Sequence, residues 1–500
     1  MESPFNRLFL KGLLPLALGL GTIGASASKH REPPLDTASL LASAGLSRAP
    51  PEEILSVAYS WLRTGRESDA QALYDHVAAL RPKKQMRAYW PLALTAKKSG
   101  EKTGEEWATA ALKRADLHIN YLQDDLARAL LASVTAPVHR AQVLTGRARI
   151  ALAAGAAGEA LRLAEEAQRL VPASSYAGII RGAALLANER TAEAIAPLAA
   201  AAKAGREGAW FLLGLAHQRL QQPVDAANAY RKGYAFDPED FGPANNLLAA
   251  LLEARAYEDA LVHADALLAA KPGHTTSLAY KHIALGELGR VREIEALSDM
   301  ALLQRETLPL PLGYTDRAAF HAALAGEIAR EPTLTYQRNT TRFGYQTDDV
   351  GFARTPALRA LNAALETVVR RRAAEARQHP SHPFHRAAPM DFRLYSWGVI
   401  LREKGHQAAH FHPHGWLSGV YYIEVPDDIA ETDPARAGWI EFGRGDERWN
   451  RKATAMPVTQ LRPEAGLLFT FPSFFWHNTR PLRTDKPRIS FAFDVIPLDG

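Results

Sequence analysis

Two patterns of hydrophobic spacing divide this chain. From about residue 50 to about residue 300, apolar positions recur three and four apart among Ala, Leu, Glu and Arg, the spacing that turns one face of a helix into a core. Two further stretches of this kind follow, "DRAAFHAALAGEIARE" and "TPALRALNAALETVVRRRAAEAR". Then the period drops to two. "DFRLYSWGVIL", "LSGVYYIEV", "AGWIEFG", "GLLFTFP" and "RISFAFDVI" are rich in aromatic and β-branched residues, with Gly, Pro and Asp between the runs. Short strands at this spacing predict a sandwich, barrel or jelly roll. The expected architecture is multidomain α + β, because 500 residues exceed what one ordinary core accommodates.

The helical half also repeats. "AWFLLGLAHQRLQQPVDAANAYRKGYAFDP" places Trp210, Leu213, Gly214, Ala226, Tyr230 and Pro238 at offsets that resemble a tetratricopeptide repeat. A small residue recurs at Ala70, Ala160, Ala194, Ala226 and Ala260, the last four spaced 34, 32 and 34 apart, and a closing proline recurs at Pro82, Pro172, Pro238 and Pro272. The small residue lets two helices approach closely, and the proline ends the second of them. Residues 50–304 are therefore expected to form tetratricopeptide-like helical repeats, less regular near 85–140. The resemblance implies a groove for a protein or peptide partner. The competing expectation is that the array merely packs on its neighbour.

Chemistry concentrates near the C-terminus. Seven of the 17 histidines lie between His379 and His414. Those in "HPSHPFH" sit in a proline-punctuated stretch that reads as surface loop. His410 and His412 differ: in extended backbone, residues i and i+2 share a face and can grip one ion. His414 satisfies the same rule, but Pro413 and Gly415 turn the chain there. A third ligand is sought elsewhere, and His477, just after an alternating strand, is the best candidate. In "RISFAFDV" one face is Ile489, Phe491, Phe493 and Val495, and the other begins with Arg488 and Ser490. A guanidinium fork beside a hydroxyl suits a carboxylate. Trp416, Trp439 and Trp476 are candidate pocket or core residues.

Composition narrows the reading. With no cysteine, disulfides, zinc-thiolate sites and cysteine nucleophiles are excluded, so any metal must take His, Asp, Glu or backbone oxygen. The net charge of +5 is spread along the chain, so no nucleic-acid footprint is expected. The leader carries Arg7 and Lys11, then an apolar run ending in Ala25-Ser26-Ala27, like a cleavable export signal. No other stretch is long and apolar enough to span a bilayer.

"HFHPHGWLSGVYYIEVP", "AGWIEFG" and "FPSFFWHNTRP…RIS" together resemble an Fe(II)/2-oxoglutarate-dependent oxygenase family, and "RNTTRFGYQT" is similar to its entry segment. The resemblance covers roughly residues 315–500. It implies a double-stranded β-helix (jelly roll) and a dioxygenase using Fe(II), 2-oxoglutarate and O2. It also implies that His410, His412 and His477 ligate the metal and that Arg488 and Ser490 hold the cosubstrate. The expected division is a leader and linker over 1–49, repeats over 50–304, a linker over 305–314 and the oxygenase-like domain over 315–500. One departure stands out: the usual set is two His and a carboxylate, whereas position 412 is His, leaving the site one charge more positive. Two alternatives follow, a repeat scaffold with an inactive β-helix or a three-His metalloenzyme that does not use 2-oxoglutarate. The expected location is divided, the leader pointing to export and the cosubstrate to the cytoplasm.

Overall fold

The computed structural model describes residues 37–498, apart from 44–45, 47–48, 50, 64–65, 80–103, 121–123, 207, 237–240, 352–354 and 450–455. The leader with Ala25-Ser26-Ala27, and Pro82 and Pro238, lie outside the described residues. By packing, the chain divides into two compact units at Leu247/Leu248.

The first unit is helical: α1 (Thr37–Ser43), α2 (Pro51–Arg63), α3 (Glu67–Ala79), α4 (Gly104–Asn120), α5 (Asp124–Ser133), α6 (Arg140–Ala153), α7 (Ala157–Leu170), α8 (Ser175–Ala187), α9 (Thr191–Lys203), α10 (Ala209–Arg219) and α11 (Pro223–Phe236), with the boundary inside α12 (Phe241–Glu253). The small residues read from the repeat do what the pattern asked of them. Ala70, Ala160, Ala194 and Ala226 are fully buried. Gly214 shows why: a Cβ there would stand 2.5 Å from a ring carbon of Tyr230, itself fully buried. Pro172 lies in the turn that follows α7, where the missing N–H costs nothing. The turns inside the pairs carry the same period. Gly155, Glu189, Gln221, Arg255 and Gly289 all take positive φ, at intervals of 34, 32, 34 and 34. A left-handed residue is what reverses the chain after a helix, and only two of the five are glycine.

The second unit opens with helices of the same kind: α13 (Tyr257–Ala270), α14 (Thr275–Glu287) and α15 (Val291–Leu297). They belong by packing with the β domain, so the compact division falls well before the expected boundary at 304. The expected linker also needs correction. Residues 305–307 lie in strand β1 (Gln304–Thr307), which pairs antiparallel with β8 (Leu467–Pro472) along one edge of the main sheet. A strand this short and exposed carries little hydrophobic signal, so its sequence reads as connection.

The main sheet has seven strands in the order β1-β8-β5-β10-β4-β3-β2, with β2 (Thr335–Tyr336), β3 (Thr341–Gln346), β4 (Phe392–Gln407), β5 (Leu417–Glu424) and β10 (Arg488–Pro497). A second sheet holds β7 (Thr459–Leu461), β6 (Ile440–Phe442) and β9 (His477–Thr479). Aromatic rings join the inner faces: Phe442 meets Phe471 at 4.9 Å between centroids. The outer face of the main sheet is covered by α16 (Arg317–Ala329) and α17 (Pro356–Arg377). Ile328 lies on Gly398, and His321 Nε2 is 2.7 Å from the Tyr421 hydroxyl. This antiparallel two-sheet domain matches the jelly roll read from the alternation. Among the described residues no helix is long and apolar enough to cross a membrane.

Candidate metal centre

Strand β10 is the middle of the site. It pairs with β4 on one side and β5 on the other, so its alternation is fixed from both edges. Ile489, Phe491, Phe493 and Val495 are buried on one face, as the pattern required. Arg488, Ser490, Ala492 and Asp494 share the other, the face toward the space between the sheets. A register shift against β5 between Ile489 and Ser490 bends the ladder beside the two candidate carboxylate-binding residues.

His410, His412 and His477 come together in space. His410 N–H donates to His477 O at 3.0 Å, and His477 N–H to His410 O at 2.9 Å. This isolated antiparallel bridge sets the two residues directly opposite one another. His412 lies two residues on, its N–H donating to Ser473 O at 2.9 Å. The ligand atoms of His410, His412 and His477 all lie within 4.8 Å of one another. His414 instead occupies an exposed turn, because Pro413 and Gly415 bend the chain away. His382 is not a ligand either: its Nε2 donates to Leu297 O and its Nδ1 accepts from the Phe384 N–H.

The hydrogen bonds decide which nitrogens face inward. His410 Nδ1–H donates to Ala408 O at 2.7 Å, and His477 Nδ1–H to Phe475 O at 2.9 Å. His412 Nδ1 is 3.0 Å from Asp494 Oδ2. Carbonyl and carboxylate oxygens only accept, so each Nδ1 carries a proton, and in the neutral imidazole each Nε2 is then left as a lone pair. The Nε2 atoms of His412 and His477 are only 3.3 Å apart. Facing lone pairs repel unless a cation lies between them. A proton is disfavoured on His410, which burial pushes down to about 3, with the neighbouring His412 adding to it. Burial, then His410 and His412, also hold His477 well below the ordinary imidazole value. Three imidazole donors gathered among aromatic rings fit a divalent transition metal. Phe471 stands 4.8 Å from His477 and Trp397 5.7 Å from His412, ring centre to ring centre.

Arg488 is 2% exposed. Its Nη1 donates to Gly438 O at 2.6 Å, while its Nε has no partner. The guanidinium lies 5.8 Å from the Tyr422 ring centre, and no acidic side chain pairs with it among the described residues. Burial pulls its pKa down and pushes Tyr422 up to about 12. Ser490, two residues on, is buried as well. Trp439 packs among Trp397, Leu401 and Ala492, and its indole N–H has no partner. A buried cation and an unpartnered donor are the features an incoming carboxylate would satisfy. Trp416 and Trp476 are core instead: Trp416 stacks on Phe384 at 4.8 Å, and Trp476 donates to Ala279 O.

Residues 395–494 match the family model described as "Putative 2OG-Fe(II) oxygenase". The C-terminal domain is a 2OG-Fe(II) oxygenase domain. No curated protein matches the chain. The chain is similar to solved structures at low identity. One is a Pseudomonas putida prolyl-4-hydroxylase (16% identity, covering 42% of this chain and 98% of that one, TM-score 0.29). Another is Pseudomonas aeruginosa pilF (18%, 39% and 90%, TM-score 0.35). A third is the non-heme alpha ketoglutarate dependent carbocyclase SnoK from nogalamycin biosynthesis (15%, 40% and 82%, TM-score 0.30).

Two features of the oxygenase domain escaped the sequence. Asp494 reaches His412, an acid that the spacing of the histidines did not single out. The signal was available, since Asp494 has the same strand parity as Arg488 and Ser490. The second is α14, whose residues brace the loops that carry the candidate ligands. Tyr280 packs edge-on to Phe411, between two ligands, at 5.6 Å. Thr275 Oγ1 donates to Gly415 O at 2.9 Å, and His282 Nε2 to Gly443 O at 2.9 Å. Gly443 N–H in turn donates to Trp476 O, next to His477. No local pattern in α14 announces that role, because its partners lie well over a hundred residues away in the chain.

Proposed function

We propose that this protein is a hydroxylase that acts on a polypeptide, with Fe(II) held by His410, His412 and His477 and 2-oxoglutarate anchored by Arg488 and Ser490. The observation that carries the reading is the convergence of three bare imidazole Nε2 atoms, each fixed by a bond at its Nδ1. When bound, the metal with its cosubstrate supplies the oxidation: O2 is split between a substrate C–H, which becomes C–OH, and 2-oxoglutarate, which leaves as succinate and CO2. The chain's own residues orient and protect. His410, His412 and His477 would hold the metal through their Nε2 atoms. Arg488 would pair its fork with the far carboxylate, and Ser490 would add a hydroxyl. Trp397, Phe442 and Phe471 exclude water from the centre.

A polypeptide substrate is supported by the fusion to tetratricopeptide-like helix pairs, a class of surface suited to extended chains. A small-molecule substrate is the second reading. The three-His enzyme without 2-oxoglutarate is disfavoured by Arg488, a buried cation that would otherwise have no counter-charge.

The test is an anaerobic titration of the full-length protein with Fe(II) and then 2-oxoglutarate, followed by visible absorption. A metal-to-ligand charge-transfer band that is absent in His477→Ala and weakened in Arg488→Ala is the expected result. An iron-loaded protein without the band would overturn the cosubstrate assignment, and failure to bind iron would overturn the centre itself.

A further inference from the structure

The ligand set lacks the carboxylate usual in such centres, yet a carboxylate stands one imidazole away. We propose that Asp494 is the positioning residue of this metal centre, supplying through His412 the negative charge that the three-histidine set does not carry. The proposal rests on the metal-site reading above.

The three ligands are not held alike. His410 and His477 end on backbone carbonyls, which are neutral dipoles. His412 ends on Asp494 Oδ2 at 3.0 Å. The other carboxylate oxygen, Oδ1, accepts the Ser418 hydroxyl at 2.6 Å. Ser418 has spent its only proton there, so at the 2.8 Å contact between Ser418 Oγ and Ser473 Oγ it is Ser473 that donates. The carbonyl of Ser473 in turn receives the His412 backbone N–H. The chain of bonds closes on itself: imidazole, carboxylate, two hydroxyls, backbone, and back to the same histidine. Gly415 completes it, since a Cβ there would run into Ser473 Oγ. Asp494 sits in the central strand, opposite Ser418 on one side and Tyr395 on the other, so the carboxylate has little freedom.

Charge gives an independent reason. Asp494 is 7% exposed, and no Lys or Arg pairs with it among the described residues. A carboxylate withdrawn from water needs a cation within reach. Three imidazoles whose ligand atoms lie within 4.8 Å of one another offer a place for a cation. One divalent ion answers both, with His412 as the bridge. A carboxylate on the far nitrogen of a ligating histidine fixes its tautomer and orientation and raises its basicity toward the metal. On this reading the site is not simply one charge more positive, because the missing charge stands one group outward.

The experiment is a Co(II) titration of the full-length protein by its ligand-field absorption, for wild type, Asp494→Asn, His412→Asp and the double variant. Asn keeps a hydrogen-bond acceptor but removes the charge. We expect Asp494→Asn to lower Co(II) affinity about 10–100-fold and to shift the absorption bands. In the His412→Asp background the sign reverses: Asp494 then faces a like charge, and Asp494→Asn strengthens binding. Local damage cannot produce that reversal. Equal affinity and spectrum for wild type and Asp494→Asn overturn the proposal while leaving the metal centre intact, as does a loss of the same size in both backgrounds. A wild-type protein that binds no Co(II) or Fe(II) overturns the metal-site reading instead.

Discussion

Tyr280 meets the ring of Phe411 edge-on, 5.6 Å between centroids, and Phe411 lies between the candidate ligands His410 and His412. The same tyrosine stands 5.2 Å from Trp449. A helix that the repeat pattern assigns to the solenoid therefore packs behind the segment that carries His410 and His412. Tyr280→Ala should cost about 3–5 kcal/mol, as large aromatic deletions in a core do. It should also weaken Fe(II) binding, because Phe411 loses the support that holds His410 and His412 in line. Urea unfolding and equilibrium dialysis measure the two effects. Unchanged iron binding in the folded variant would show that α14 does not brace the site.

Removing a ligand should cost more than removing its support. His410→Ala and His477→Ala should each reduce Fe(II) affinity beyond the about 10–100-fold typical of a supporting residue. Dialysis under anaerobic conditions reads this directly, and near-wild-type affinity in either variant would remove that histidine from the ligand set.

Arg488 sets function against stability. It is a buried cation without an acidic partner among the described residues, and an apolar residue of similar volume would avoid that penalty. Arg488→Met should abolish measurable 2-oxoglutarate binding yet leave the cosubstrate-free protein as stable or more stable, by up to about 4 kcal/mol. Arg488→Lys should bind weakly, because a point charge cannot reproduce the fork. Calorimetric titration and urea midpoints separate the two quantities. A destabilised Arg488→Met would indicate that the guanidinium is already satisfied.

Acid should loosen the second unit through His282. Its Nε2 donates to Gly443 O while its Nδ1 faces Ser298 Oγ, and burial lowers its pKa to about 4. The unfolded histidine titrates near its ordinary 6.5, so below that pH the unfolded state binds the extra proton. The contribution is present above pH 6.5 and is lost as pH falls toward 4. Between pH 7 and pH 5 it amounts to about 2 kcal/mol. In chelator, the stability of His282→Gln should fall less over this interval than that of wild type, as read by urea midpoints. Parallel pH profiles would contradict the assignment.

In the first unit, Gly214→Ala tests the repeat lock. A Cβ 2.5 Å from the Tyr230 ring must displace it, so a loss of about 1–3 kcal/mol is expected despite alanine's better helix propensity. Thermal melts by circular dichroism report it, and a stabilised variant would mean that Tyr230 has room to move.

Much of this was legible because it is periodic or local. The alanines at the helix crossings, the turn after Pro172, and the alternation that buries Phe491 and Phe493 each follow from spacing alone. His410 and His412 share a face because extended backbone repeats every two residues, and Arg488 and Ser490 share theirs for the same reason. The linker expected over 305–314 failed where the signal was weakest, in a four-residue edge strand with no buried residue.

The sequence by itself determined the two patterns of spacing, the absence of thiol chemistry and the residue types that could meet a metal. Tertiary structure decided what those residues meet. Pairing across the His410–His477 bridge joins segments 67 residues apart. Packing placed α14 against the ligand loops. The placement of β10 beside β5 carried Asp494 to His412, turning an apparent deficit of charge into a hydrogen-bonded carboxylate. Periodicity says which way a side chain points. Only the packing of distant segments says what it points at, because contacts between separate elements leave no repeating trace in the chain.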